Sequence, residues 1–444
     1  MAPTMAGNMI TKFRTFLLGP VLGLERHEYV AVAWSFACFF CVLSSYYIVR
    51  PVREAMAVDS GADTIPLLFT ATFVAMLLAT SIFGWVTSRY PRRTFLPWVY
   101  LFFISNMLLF WLIFSQTVDD DTDHIWLGRA FFVWLSVFNL FVVSVFWSFM
   151  ADIYTRDQGR RLFGFITAGG SIGALCGAAV TKLYVVQIGF ENLFLVAAAL
   201  LTAATLCIDR INRWVEYRQA TEIRVTADIN KPLGGNPFSG ITHVFGSRYF
   251  LGIAVSSIIA SLLGTALYMF AAQLVEVSIL GTNERTEFFS NINFWTNLFA
   301  LVGQMFLVRH VVAHFGIGRS LALLPIVSIA GFVLLAIDPV LGIVAFLTIA
   351  RRALGFSFSK PTTDMLYSVV TPEEKYKTKN FIDTAIYRFG DIIGTWMVQL
   401  MLGLGIAGVS WVMLPFALLW SAVSLWLGRD YKRQAITLKS RGVE

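Results

Sequence analysis

Charge is scarce in this sequence: only 14% of its 444 residues are charged, against about 25% in an ordinary globular chain. So few charges cannot cover a water-facing surface, which excludes a freely dissolved enzyme. Cysteine is rarer still, and all four, Cys38, Cys41, Cys176 and Cys207, fall inside apolar runs, which excludes a disulfide framework. Cys38 and Cys41 make a CxxC on a helix without a second ligand pair, so they read as lipid-facing or core thiols rather than as a metal or redox centre. There is no Gly-rich GxxxxGK[ST] loop, no soluble segment large enough to hydrolyse a nucleotide and no clustered catalytic set. Neither enzymatic activity nor a cofactor or metal is therefore expected. His310 and His314 stand i, i+4 without carboxylate or cysteine neighbours and read as a solvated interfacial pair. A secretory leader is also lacking. Lys12 and Arg14 precede an apolar stretch from Phe16 to Leu24, but Pro20 interrupts it and no small-residue cleavage site follows, so residues 1–28 read as a cytoplasmic interfacial lead-in.

What is abundant is apolar length. Hydrophobic residues make up 57% of the chain, and a helix needs roughly 20 of them in a row to cross a hydrocarbon layer. Runs of that kind predict helices at 29–49, 65–86, 94–116, 125–150, 162–186 and 188–208, then at 249–275, 288–308, 320–337, 340–368, 381–403 and 407–428. The expected fold is an all-α membrane protein of twelve transmembrane helices. With the N-terminus placed inside, 25 Lys and Arg residues fall in the inner connections and tails, and only Arg50, Arg53 and Arg285 fall in the outer loops. That bias predicts a multi-pass protein of a bacterial inner membrane with both termini cytoplasmic. Insertion into the lipid bilayer thus accounts for the formal charge of +7, and no nucleic-acid partner is needed.

The polar segment 209–248, with Arg210, Arg213, Arg218, Arg224 and the turn-rich run from Lys231 to Pro237, separates two six-helix halves, 29–208 and 249–428; a basic cytoplasmic tail, 429–444, follows. Gly170-Ser171-Ile172 in the fifth span and Gly390-Asp391-Ile392 in the eleventh are offset by 220, which matches the 220 between the starts of the first and seventh spans. Parallel repeats of this layout point to the major facilitator architecture. The fifth span carries Gly164, Gly169, Gly170, Gly173 and Gly177. Such a stripe predicts close helix packing at the interface between the halves, or a substrate lying against bare backbone.

Ionisable groups inside spans carry the functional information, because each costs about 2.5–3.5 kcal/mol at a helix centre even on mild insertion scales. Arg351 and Arg352 lie near mid-depth in the tenth span. Side chains of adjacent residues diverge by about 100°, so one of the two can face a cavity while the other meets a neighbouring helix. Arg388 and Asp391 share a face of the eleventh span, either as a self-neutralising ion pair or as a gate or coupling switch. Arg50 and Arg53 end the first span, either as interfacial snorkels or with Arg53 at the mouth of a cavity. Trp34, Tyr46, Tyr47, Trp134, Asn139, Asn291, Asn293 and Trp295 could add aromatic and amide contacts. The candidate substrate-binding residues are Arg53, Arg351, Arg352, Arg388 and Glu287; the candidate gating or coupling residues are Asp391, Arg388 and Glu54. An arginine-rich lining prefers an anion, since guanidinium groups hold carboxylate or phosphate bidentately.

Three segments resemble the non-mitochondrial ATP/ADP translocase family: Tyr46–Val58 (YYIVRPVREAMAV), Phe146–Gly177 (FWSFMADIYTRDQGRRLFGFITAGGSIGALCG) and Phe389–Gln399 (FGDIIGTWMVQ). The resemblance implies a substrate path using a basic residue at the end of the first span, acidic residues in the fourth and near the eighth, and a lysine in the eleventh. Arg53 and Glu287 keep the sign of charge at the first and third of these positions, whereas Leu135 and Asp391 depart from the second and fourth and argue against strict ATP/ADP exchange. The expected function is secondary transport of an organic or phosphorylated anion by alternating access, with a nucleotide as the most specific substrate. The alternative is a proton-coupled symporter or exporter of another anion, with Asp391 as proton carrier. The solute and the lipid are the expected partners, and a monomer the expected unit.

Overall fold

The computed structural model describes residues 28–89, 92–116, 121–221, 244–370, 374, 378–379 and 381–440, and every regular element among them is helical. α1 (Tyr29–Asp59), α2 (Ile65–Arg89), α3 (Arg92–Gln116), α4 (Asp121–Ile153), α5 (Arg156–Ile188) and α6 (Asn192–Thr221) come first. α7 (Arg248–Ser278), α8 (Thr282–Val302), α9 (Val308–Ile337), α10 (Leu341–Leu354), α11 (Tyr387–Leu400) and α12 (Gly405–Ser440) follow. Single π-helical turns lie after α8 (Gly303–Leu307), after α10 (Gly355–Ser359) and before α11 (Ile382–Ile386), and a short helix, Lys360–Leu366, continues α10.

Ten helices among the described residues are long and apolar enough to cross a bilayer. α8 and α11 do not meet that measure. α8 carries Asn283, Glu284, Arg285, Glu287, Asn291, Asn293 and Asn297, while α11, preceded by a π turn, sets Arg388, Asp391 and Gln399 among its apolar residues. These two elements also bear Glu287 and the Arg388–Asp391 pair, so polarity and interruption fall where chemistry is expected. Leu67, Leu78, Trp98, Phe102, Leu206 and Leu400 each expose more than half of their surface, as lipid-facing side chains do.

Several helices outrun the apolar windows. α1 continues through Pro51 to Asp59, α6 runs to Thr221 and α12 to Ser440, because helical hydrogen bonding does not stop where hydropathy falls. The expected connection at 309–319 is likewise helical except at Gly316, whose φ of 72° only glycine adopts cheaply. Most of the central polar segment, with Gly235, lies outside the described residues.

The chain divides into two compact units, one of Met1–Pro51, Leu78–Asp120 and Leu135–Lys231, the other of Val52–Leu77, Asp121–Trp134 and Pro232–Glu444. In the first unit, Thr155 and Gln158 form a capping box that starts α5, and Gln158 and Arg161 both donate to the fully buried Glu28, at 2.8 Å and 3.0 Å. The glycine stripe of α5 lies against α1: a Cβ on Gly169, Gly173 or Gly177 would fall within 2.6 Å of the carbonyl oxygens of Phe36, Phe40 and Ser44. The close packing expected between halves is thus an α1–α5 contact inside one unit. A stripe of glycines reports that some backbone comes near, not which one. In the second unit Gly390 and Gly394 of α11 meet α7 in the same manner, at Ile258 and Leu262.

The second unit also takes in the end of α1, the beginnings of α2 and α4, and the turn between α1 and α2. Ala57, Val58, Ala62, Ile65, Leu68 and Phe132 share its core with α7 residues from Leu262 to Val275. Gly61, with φ of 89°, makes the turn.

Candidate functional site

The second unit gathers most of the ionisable residues expected at the site. Arg53 and Glu54 stand just past Pro51 in α1. The Arg53 guanidinium lies 4.6 Å from the centre of the Phe132 ring and donates to Glu54 Oε1 at 3.1 Å, with the Glu54 carboxylate almost wholly buried. The phenol of Tyr268 on α7 is within electrostatic reach of Glu54, Arg53 and Arg352. Residues of α1, α7 and α10 are thus within electrostatic reach of one another around Tyr268.

The two arginines of α10 diverge. Arg351 donates to the carbonyl oxygen of Ala260, rests against Gly264, where any Cβ would stand 2.5 Å from its Nη1, and lies 5.8 Å from the Trp420 ring centre. Its guanidinium is thus seated on α7 and α12. Arg352 turns to α8 instead and donates to Asn293 Oδ1 at 3.4 Å.

Arg388 and Asp391 form an ion pair at 3.2 Å in which the Arg388 side chain is 38% exposed and that of Asp391 10%. Asp391 also accepts hydrogen bonds from Ser261 and, at 3.1 Å, from Thr265, both on α7. Tyr387 is within reach of Asp391, Arg351, Arg388 and Arg352, which links this pair to the α10 arginines. Glu287 is half-buried on α8. Arg50 belongs to the other unit, where its guanidinium lies over Tyr47 and Tyr46 at 5.3 Å and 5.9 Å.

Further polar contacts tie the end of α1 to the α7–α8 connection. Asp59 pairs with Arg285 at 2.5 Å and accepts from Thr282 at 2.9 Å. Arg285 also donates to the carbonyl oxygens of Ile279 and Glu276, and Glu276 accepts from the Ala62 N–H at 3.1 Å. Trp396 of α11 donates to Thr70 of α2 at 3.2 Å.

Residues 35–395 match the Major Facilitator Superfamily. The chain belongs to this superfamily. Its relatives include ADP,ATP carrier protein 1 of Chlamydia trachomatis serovar D, 23% identical over an alignment that covers 94% of this chain and 89% of that protein. The resemblance carried by three segments thus extends along almost the whole major facilitator fold. Among solved structures the chain is similar to the nucleoside transporter NupG, with a TM-score of 0.59 at 15% identity over 92% of this chain and 99% of that one. It is also similar to a bacterial homologue of the iron transporter ferroportin in an inward-facing state, with a TM-score of 0.62 at 13% identity over 91% of this chain and 99% of that one. At such identities the structural likeness carries the fold alone.

Sequence reasoning did not single out Asp59, Tyr268, Tyr387, Ser261 or Thr265, which the structure sets against the expected residues of this major facilitator protein. A lone hydroxyl or phenol in a span gives no signal, since most serve packing.

Proposed function

We propose that this major facilitator protein exchanges nucleotides of the ATP/ADP type across a bacterial inner membrane by alternating access. Twelve spans in two six-helix halves, with both termini cytoplasmic and the monomer as the working unit, complete the reading. One observation carries it: Arg53, Glu54 and Arg352 all lie within electrostatic reach of Tyr268 in a chain that aligns over nearly its full length with chlamydial ADP,ATP carriers. Guanidinium groups hold phosphate oxygens bidentately, so Arg53 and Arg352 suit a polyanion. Arg53, Arg352 and Glu287 take part in binding. Arg388 and Asp391 act as a coupling switch at the α7–α11 contact, and Glu54 holds Arg53 when no substrate is bound.

The test is counterflow in liposomes. Purified protein should admit labelled ADP only when nucleotide is loaded inside, at a rate indifferent to an imposed pH gradient. Uptake into empty liposomes driven by an inward proton gradient would reject exchange in favour of proton coupling.

A further inference from the structure

α8 and α10 meet along faces whose polar groups the fold leaves unanswered. Arg352 donates to Asn293 Oδ1. A guanidinium has no acceptor, so this contact fixes the amide: its oxygen faces the arginine and its Nδ2 remains as a donor. That Nδ2 is buried without a hydrogen-bond partner. About one turn further along α8, Thr296 holds a buried Oγ1 without a partner, and one turn before Arg352 on α10, Thr348 holds another. Asn293 and Thr296 are each 2% exposed and Thr348 7%. Spacings of three and four residues put Asn293 with Thr296 on one helix face and Thr348 with Arg352 on another, and the Arg352–Asn293 contact brings those faces together.

Buried polar groups are nearly always satisfied, and many hydroxyls in the same unit obey the rule, although Thr72, Tyr268, Tyr367 and Thr378 also hold buried hydroxyls without a partner. Thr286, Thr362, Ser328 and Ser357 each donate to the carbonyl four residues back. Thr296 and Thr348 do not, although their helices offer the same bond. What sets these two apart is their place, on the faces of α8 and α10 that the Arg352–Asn293 contact joins, beside the unpartnered Asn293 Nδ2.

We infer that this row binds the phosphoryl oxygens of the substrate, with Arg352 supplying charge and Asn293 Nδ2, Thr296 and Thr348 supplying neutral donors. The inference rests on the nucleotide-exchange reading and deepens it. Guanidinium and amide N–H groups only donate, and the two hydroxyls can turn to donate, so the row fits a ligand made of acceptors. A phosphoryl group is one. A base edge, which mixes donors with acceptors, fits it less well. The seam is shut in this structure, so α8 and α10 part slightly to admit the anion, and the unanswered donors favour that opening once an anion is present.

Binding of ADP, adenosine and inorganic phosphate to the purified full chain, followed by titration calorimetry, tests the row. Thr296→Val with Thr348→Val keeps shape and removes both hydroxyls. ADP affinity should fall about tenfold or more, as expected for lost hydrogen bonds to a charged group, adenosine affinity should not change, and the double Ser variant should recover most of the loss. Asn293→Asp guards against a folding defect, because the new carboxylate pairs with Arg352 and holds the seam while repelling a phosphoryl group. It should melt no lower than the parent and lose ADP binding. ADP affinity unchanged in the double Val variant and in Asn293→Asp, while Arg53→Ala abolishes it, overturns the row and leaves the exchange reading standing. A parent protein that binds inorganic phosphate but not ADP, and loses the phosphate in the double Val variant, rejects the exchange reading and keeps the row. Binding of neither overturns both.

Discussion

Arg351 and Arg352 are neighbours in sequence with different surroundings, and their surroundings separate their roles. The Arg351 guanidinium is seated on the Ala260 carbonyl and in the space left by Gly264, so its loss removes a charge-assisted hydrogen bond worth about 1.5–3 kcal/mol and the packing around it. Arg351→Ala should lower the melting temperature of the detergent-solubilised protein and leave ADP affinity within about threefold. Gly264→Ala, which pushes a methyl into Arg351, should reproduce that defect. Arg352→Ala should do the reverse, weakening ADP roughly tenfold to a hundredfold at nearly unchanged melting temperature, with lysine restoring only part of the loss because the planar fork is gone. A binding defect confined to Arg351→Ala would overturn the assignment. Sequence alone made it legible that two adjacent arginines must face different ways. It did not reveal which way, because the niche that seats Arg351 is cut by a glycine on another helix, and no local pattern in α10 records it.

At the scale of elements, glycine decides how near two helices come. α5 lies so close to α1 that a Cβ on Gly173 would stand 2.3 Å from the Phe40 carbonyl oxygen, whereas one on Gly164 in the same helix meets nothing within 4 Å. Gly173→Val should therefore destabilise the protein by about 1–3 kcal/mol or more through overpacking. Gly164→Ala should be neutral or stabilising by about 0.5–1 kcal/mol, as a helix-interior glycine is replaced by the best helix former. Thermal unfolding of the two variants side by side is the check; equal melting temperatures would reject the α1–α5 contact. Ten of the helices are plain in hydropathy alone, since length and apolarity suffice to reveal them. Partners are harder to read. When every face of a helix is apolar, periodicity no longer marks the side that meets protein, so the stripe on α5 announced a neighbour without naming α1. α8 and α11 carry a weaker apolar signal than the other ten, because the charged and amide side chains that suit them to chemistry lower their hydropathy.

At the scale of the whole molecule, the distribution of basic residues predicts orientation and the polar contacts at the end of α1 predict how the molecule opens. A cysteine placed at Gly235 should react with impermeant thiol reagents only from the cytoplasm, and one placed at Thr122 only from outside; labelling of position 235 in intact cells would sink the proposed topology. Alternating access further requires that the end holding Asp59, Gly61 and Arg285 come apart in each cycle. The ion pairs and hydrogen bonds there suit that demand, because they exchange for water on opening, while the apolar packing of Ala57, Val58 and Ala62 against α7 must give way with them. Asp59 and Arg285 are side chains only 11% and 10% exposed, so removing one partner leaves the other charge nearly buried. A fully buried pair broken in this way costs about 3–5 kcal/mol, and partial exposure brings the figure here toward the lower end. That cost falls on the closed end alone, so Arg285→Ala should shift the population toward the open form. Ala62 lies buried beside the pair and reports the change. In an Ala62→Cys background, thiol labelling should be slow, and adding Arg285→Ala should raise its rate at least about tenfold, since 1.4 kcal/mol of the expected cost already suffices for that factor. The charge swap Asp59→Arg with Arg285→Asp should return the rate toward the slow value, which distinguishes a latch from general loosening. If Arg285→Ala labels no faster, or the swap fails to slow it, the ion pair is a fixed strut and the gate lies elsewhere.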